Sequence, residues 1–223
     1  MSEDEISERI IVLSHDPSDY DSMIENLLIA MVNLDKSKFD TVLSRAILHT
    51  GFEETILKIV YPLLDRIGVL WMTGSINPPQ EHFISNLIRQ KLIVAVDSLI
   101  PKKNTHPKHF LLFLPEGELH ELGLLFYSYI IQKRGHMVTY LGQSVPLTDM
   151  AHASTVLNFE YLLTSIVTVC SIQELKAYLE KLSDAFPGKT IYISGRQAAA
   201  AGNVLPPNII RLDSVNHFLE LLS

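Results

Sequence analysis

The sequence has a single cysteine, Cys170, among 223 residues. That excludes an intrachain disulfide framework and any multi-cysteine zinc or iron–sulfur site, and it fits a reducing compartment. No run of about 18 uninterrupted apolar residues occurs, so no membrane span is expected. The N-terminus, Met1-Ser2-Glu3-Asp4-Glu5, is acidic and lacks the apolar stretch of a signal peptide. A basic excess is also missing. Lys and Arg number 18 against 25 Asp and Glu, a net charge of −7. Residues 1–100 hold 15 acids and 8 bases, and residues 101–223 hold 10 of each. Neither half carries the basic footprint that duplex nucleic acid requires. Neither G-x-G-x-x-G nor G-x-x-x-x-G-K-[ST] appears, so no glycine-rich phosphate loop is present. Ser165 with a histidine could suggest nucleophilic catalysis, but no G-x-S-x-G elbow supports it.

What is there is an apolar content of 47%, enough for an ordinary packed core. The two halves differ in period. Up to about residue 100 the apolar spacing is helical. Ile24, Leu27, Leu28 and Met31 form one stripe, with Ser22 and Glu25 reading as a capping box. Phe39, Val42, Leu43, Ala46 and Ile47 form a second, closed by Gly51. Ile56, Ile59, Val60, Leu63, Leu64 and Ile67 form a third, which Pro62 should kink. A fourth runs from Pro79 past Phe83, Leu87, Ile88 and Leu92 to about Leu99. Four amphipathic helices with short connections predict a four-helix bundle over 21–100, after an N-terminal segment 1–20. The polar stretch 101–108, with a proline near each end, reads as an interdomain linker.

From 109 to 223 strands and helices alternate. Strands are expected at Phe110–Leu114, Met137–Leu141, Tyr161–Val169, Thr190–Ser194 and Asn208–Leu212. Helices are expected near 121–134, 147–157, 171–185 and from Ser214. This predicts a doubly wound, flavodoxin- or Rossmann-like α/β domain with a five-stranded parallel sheet.

Ligands of such sheets bind beyond the carboxyl ends of the strands. The loop after the first strand offers an imidazole, His120, with a carboxylate, Glu118, two residues before it and Gly123 one turn later. A carboxylate beside a ligating imidazole accepts the hydrogen bond of the non-ligating ring nitrogen and makes the other nitrogen a better metal ligand. Gly123 leaves room for a flat group to approach the backbone. The bland alternative is a histidine at a helix start with no ligand. In the bundle, Trp71 ends the third helix, and Glu81 and His82 open the fourth after Asn77-Pro78-Pro79. A short turn puts both helix ends at one end of the bundle. The bland alternatives are a core tryptophan and a glutamate that compensates the helix dipole. Cys170 reads as a small core residue, and His106 and His109 as solvated loop histidines with no third ligand nearby.

Taken together, these residues resemble a family. Glu118-x-His120-x-x-Gly123 is similar to the signature of base-off, histidine-on corrinoid domains. Trp71, nine intervening residues and then Glu81-His82 resembles the cap of the cobalamin-dependent, MerR-type light-responsive regulators of carotenoid synthesis. Pro62-Leu63-Leu64, Ile67-Gly68, Gly74, Phe83, Tyr140-Leu141-Gly142 and Pro146 extend the likeness along most of the chain.

The resemblance implies a bundle capping a corrin that lies on the α/β domain. It implies His120 as the lower cobalt ligand, with Glu118 behind it. Ser165 and Gly195 would flank the nucleotide tail. Trp71, Glu81 and His82 would face the upper axial group, adenosyl in the light sensors, with methylcobalamin the alternative cofactor. It also implies a non-catalytic cytoplasmic sensor whose homodimer or tetramer assembly controls DNA binding. DNA would be met only through a winged helix outside this chain, since residues 1–20 are too short and too acidic to be one. One residue departs from the pattern. The light sensors carry a histidine directly after the tryptophan, and this chain has Met72. The rival readings are a corrinoid methyl-carrier subunit and a cofactor-free protein-interaction module.

Overall fold

The computed structural model describes residues 19–100, 102–202 and 205–222. The first 18 residues of the expected N-terminal segment, and Pro101 of the expected linker, lie outside the described residues. The chain divides into two compact units, one ending at Ile88 and the other beginning at Arg89.

The first unit is helical. Helix α1 spans Tyr20–Val32 and α2 spans Lys36–Thr50. The third helix, α3, is a composite of an α-turn Phe52–Thr55, a π-helical stretch Ile56–Val60 and an α-helix Tyr61–Met72. Helix α4 spans Pro78–Asp97 and continues into the second unit. The expected stripes supply most of the core, in which Leu27, Phe39, Ala46, Ile59 and Leu63 are fully buried; in the fourth helix Ile84, outside the expected stripe, is buried where Phe83 is only partly so.

The start of α1 differs from the expected capping box. Asp19, not Ser22, is the cap, and its carboxylate accepts from the Ser22 N–H at 3.1 Å. A carboxylate one turn upstream satisfies the orphan donor first, so Ser22 falls inside the helix. Pro62 is accommodated by the π-helical stretch just before it. There the Tyr61 N–H reaches back to the Ile56 carbonyl, five residues away. A proline withholds the next helical N–H, and a wider turn absorbs that loss. The start of α4 has a reciprocal cap: the Gln80 N–H donates to Asn77 Oδ1 and the Asn77 N–H to Gln80 Oε1, each at 3.1 Å.

In the second unit five parallel strands carry helices between them. They are β1 (His109–Pro115), β2 (Met137–Val145), β3 (Tyr161–Ser165), β4 (Thr190–Ser194) and β5 (Ile209–Arg211). The helices are α5 (Leu122–Lys133), α6 (Leu147–Val156), α7 (Ile172–Ala185), α8 (Arg196–Ala200) and α9 (Val215–Leu222). The spatial order is β2-β1-β3-β4-β5, with every pairing parallel. The doubly wound class expected from the alternation is therefore the observed one. The chain leaves β1 toward one side and β3 toward the other, which makes the gap above these strands the topological switch point. Leu111, Phe113, Leu162, Ile191 and Ile193 pack one face against Leu175, Leu179 and Leu182 of α7. The other face is aromatic. Phe110 stacks on Tyr161 at 4.8 Å between centroids, and Phe218 of α9 meets Tyr127 and Tyr192 edge-on.

Two strand ends differ from the sequence expectation, and both differences shape the same loop. Strand β3 stops at Ser165; the Ile166 N–H still reaches the Ser194 carbonyl, but the N–H groups of Val167 and Thr168 turn away to the Glu118 carboxylate. Strand β2 runs on to Val145 through register shifts against β1. Its last residues hold the loop after β1. The Ser144 N–H donates to the Glu118 carbonyl at 3.2 Å, the Gly117 N–H to Ser144 Oγ at 3.1 Å, and Gln143 Nε2 to the Leu119 carbonyl at 2.8 Å.

Residues 102–108 lie against the turn between α5 and β2. A β-carbon at Gly135 would come within 2.5 Å of the Lys102 carbonyl oxygen, so only glycine fits there. The Lys108 N–H donates to His136 Nδ1 at 3.1 Å. Burial, then the charges of Lys108 and Arg134, hold the His136 imidazole below its ordinary pKa, which suits a neutral ring acting as acceptor.

Candidate functional site

The loop between β1 and α5 carries the principal candidates. Glu118 is only 3% exposed, although it sits in a loop. An ionised carboxylate there needs several donors to offset its lost hydration. It has them. Oε1 accepts from the N–H groups of Leu119 at 2.9 Å and His120 at 3.0 Å, and from His120 Nδ1 at 2.6 Å. Oε2 accepts from the N–H groups of Val167 at 2.8 Å and Thr168 at 2.7 Å. Glu118 therefore bridges the loops that follow β1 and β3, across the switch point. Burial alone would raise its pKa. The hydrogen bonds from the His120 ring and from the backbone of Thr168, His120 and Val167 outweigh burial and hold the carboxyl well below the usual range.

A carboxylate so held accepts hydrogen bonds only, which puts the proton of a neutral His120 on Nδ1 and the ring lone pair on Nε2. The imidazole is 62% exposed. Its direction is set at one nitrogen while the other has the electron pair that a metal takes. Gly123, in the first turn of α5, has no positive φ, and a β-carbon there would meet nothing within 4 Å. Neither backbone conformation nor packing within the protein demands glycine at that position.

Glu121 is the other buried carboxylate of this loop. It pairs with the Arg89 guanidinium through Oε1 and accepts from the Tyr140 hydroxyl at 3.0 Å through Oε2. Burial, followed by the Glu121 charge, pushes the Tyr140 phenol above its ordinary value.

Ser165 and Ser194 face each other in register at the carboxyl ends of β3 and β4, both buried. Gly195 follows with φ +93°, and a β-carbon there would lie 2.5 Å from the Ile166 carbonyl oxygen and 2.8 Å from its nitrogen. Unlike Gly123, Gly195 has a structural reason of its own. The Ile166 N–H donates to the Ser194 carbonyl at 2.9 Å, and the Gln197 N–H to the Ile166 carbonyl at 3.0 Å. These bonds require the close approach.

In the helical unit, Trp71 lies in the last turn of α3 and is 48% exposed, so it is not a core tryptophan. Met72 beside it is exposed too. The turn to α4 is held by a bond of 2.8 Å between Thr73 Oγ1 and Ser75 Oγ and by the Ser75 N–H on the Leu70 carbonyl at 2.9 Å. Glu81 and His82 are brought together in the first turn of α4: His82 Nδ1 lies 2.7 Å from Glu81 Oε2, and Ser85 Oγ donates to Glu81 Oε1 at 2.7 Å.

The sequence reading missed the Val167 and Thr168 amides and the pairing of Arg89 with Glu121. Backbone donors leave no sequence signal. A second acid directly after His120 was a signal that could have been read. Among the described residues no group of three or more His, Cys, Asp or Glu could hold a metal ion by itself.

Residues 23–95 match the family described as B12 binding domain. Over 175 residues the chain is 28% identical to the HTH-type transcriptional repressor CarH of Myxococcus xanthus, covering 78% of this chain and 58% of the repressor. Over 119 residues it is 32% identical to the HTH-type transcriptional repressor CarA of the same organism, covering 53% of this chain and 39% of that one. The chain is homologous to both and spans about half their length. Among solved structures, the monomethylamine corrinoid protein of Methanosarcina barkeri superposes with a TM-score of 0.69 at 15% identity, over 91% of this chain and 98% of that one. That likeness is one of fold. Residues 23–95 are thus similar to a B12 binding domain, and the chain is similar to helix-turn-helix repressors.

Proposed function

We propose that this chain is the cobalamin-sensing part of a transcriptional regulator, with a helical cap over 21–100, a linker at 101–108 and a cobalamin-binding α/β domain over 109–223. The observation that carries the reading is the Glu118–His120 pair at the switch point of a chain whose helical region matches a B12 binding domain. The donor set fits the group. A corrin brings its own four equatorial nitrogens to cobalt, so the protein needs to add one imidazole, and among the described residues no cluster could hold a bare ion.

In this reading His120 is the lower axial ligand through Nε2, in the base-off, histidine-on mode. Glu118 fixes the ring and its tautomer. Gly123 admits the macrocycle close to the backbone. Ser165, with Gly195, lines the place of the nucleotide tail. Trp71, Glu81 and His82 serve the upper face, with adenosylcobalamin the preferred form and methylcobalamin the alternative. The bound group supplies a cobalt–carbon bond at that face. Light is the candidate input, although Met72 stands where the light sensors have histidine. A thioether does not replace imidazole at cobalt(III) readily, so any second nitrogen ligand comes from His82.

The output is self-association into a homodimer or tetramer. Differential binding between assembly states is what drives such a switch. DNA is contacted through a winged helix outside residues 1–223, and the protein acts in the cytoplasm as a regulator, not an enzyme.

The test mixes purified protein with adenosylcobalamin in the dark, desalts it, and records the spectrum and elution volume before and after illumination. Retained cobalamin with a base-off, histidine-ligated spectrum that His120→Ala abolishes supports the reading. A wild-type protein that retains none contradicts it.

A further inference from the structure

The mechanism just proposed leaves one buried charged group unused. Glu121 directly follows His120 and is 5% exposed. Its Oε1 takes the Nε of Arg89 and its Oε2 the hydroxyl of Tyr140, so both carboxylate oxygens are engaged from different elements. Arg89 comes from the part of α4 that belongs to the second unit, and Tyr140 comes from β2. The Glu121 backbone is equally fixed. Its N–H donates to the Leu119 carbonyl at 2.9 Å, and its carbonyl accepts from the Leu125 N–H at 2.9 Å, which opens α5.

The pair is buried only at its Glu121 end, the Arg89 side chain being 46% exposed; such a pair adds little net stability over an apolar equivalent, and its best-attested use is to specify one geometry. Tyr140 shows the same economy. Its hydroxyl is bound to a carboxylate beside the ligand loop, where phenylalanine would fill the space without the bond.

We infer that Arg89, Glu121 and Tyr140 form a positioning network that fixes the backbone bearing His120, so that the imidazole is aimed before any ligand arrives. The inference rests on the reading of His120 as a ligand. It adds that the aim of His120 is set from both sides, by Glu118 on the ring and by Glu121 on the chain immediately after it. None of the three touches cobalt, and none is a catalytic residue.

The experiment uses Tyr140→Phe, which keeps the ring and removes only the hydroxyl, together with Arg89→Met and the double variant Arg89→Met/Glu121→Gln. Amide hydrogen exchange over residues 118–122 is measured on the apoprotein. Cobalamin dissociation and the histidine-ligated fraction of the bound cobalamin are measured on the loaded protein. Exchange over 118–122 is expected to rise about tenfold in each variant while far-UV circular dichroism stays that of the wild type. Loaded variants are expected to lose cobalamin about tenfold faster, with a smaller histidine-ligated fraction.

The double variant removes both charges and recovers thermal stability, yet it keeps the reduced histidine-ligated fraction. A purely structural network would recover both. Folded variants with wild-type exchange at 118–122 and an unchanged histidine-ligated fraction overturn the inference. If the wild type retains no cobalamin, the proposed function fails while the apoprotein exchange still decides whether the network orders the His120 segment.

Discussion

The two units each contain a glutamate paired with a histidine close by in sequence, and the two pairs have nearly the same length. His120 Nδ1 lies 2.6 Å from Glu118, and His82 Nδ1 lies 2.7 Å from Glu81. Their surroundings differ. Glu118 is buried and receives four backbone N–H groups from two loops. Glu81 is 30% exposed, and the bond from the Ser85 hydroxyl comes from its own helix. The first pair is a fixed part of the fold. The second is a surface pair whose side chains can rearrange at little cost. On the proposed function, the difference suits a lower ligand that is preset and an upper face that answers to what is bound there.

The comparison breaks most visibly by mutation of the carboxylates. Glu118→Ala leaves the part-buried N–H groups of Val167 and Thr168 without their acceptor and is expected to cost the α/β unit about 2 kcal/mol. Glu81→Ala is expected to stay within about 0.5 kcal/mol of the wild type, as exposed pairs do. Urea unfolding of the two variants checks both values.

Glycines give a contrast of similar size. Gly195→Ala drives a β-carbon into the Ile166 backbone at a positive φ and is expected to cost about 2–3 kcal/mol in the same assay. Gly123→Ala meets open space and is expected to leave stability unchanged or raised by up to about 1 kcal/mol. On the proposed function, Gly123→Leu keeps the fold and loses cobalamin on desalting.

The pH effect is smaller and has a definite sign. Glu118 has a folded pKa below its unfolded one. Its stabilisation is complete above the unfolded value near ~4.3 and is lost as pH falls below it toward the folded value. Wild-type stability is therefore expected to fall more steeply below about pH 5 than that of Glu118→Gln. Thermal unfolding in a pH series checks this. His82→Ala gives the smallest effect, under about 0.5 kcal/mol in unfolding; on the proposed function, its further effect is confined to the upper face of the loaded protein.

Much of this fold was legible in the chain. The change from helical spacing to alternation at about residue 100 separated a helical region from a doubly wound one, because a period of 3.6 and a strand–helix alternation are properties of the residues themselves. Thr190–Ser194 was bounded correctly, since apolar residues end there at Gly195. The ends of β2 and β3 were not legible. Val167 and Val169 look like strand residues, but the N–H groups of Val167 and Thr168 go to the distant Glu118 carboxylate and not to a neighbouring strand. The same limit hid the site's depth. Glu118-x-His120 announces a carboxylate beside an imidazole, but its burial depends on two amides some 50 residues away. Gly123 and Gly195 look equivalent as letters, and only the Ile166 backbone distinguishes them.

The central claim is that His120 supplies the lower ligand of a cobalt held in a corrin. Electron paramagnetic resonance of the cobalt(II) form, with protein labelled with nitrogen-15 only in its histidines, tests it directly. The account predicts that the nitrogen splitting of the wild-type signal changes from a triplet to a doublet on labelling and disappears in His120→Ala. A triplet that survives labelling would show that the ligand is the cofactor's own base and would contradict the account.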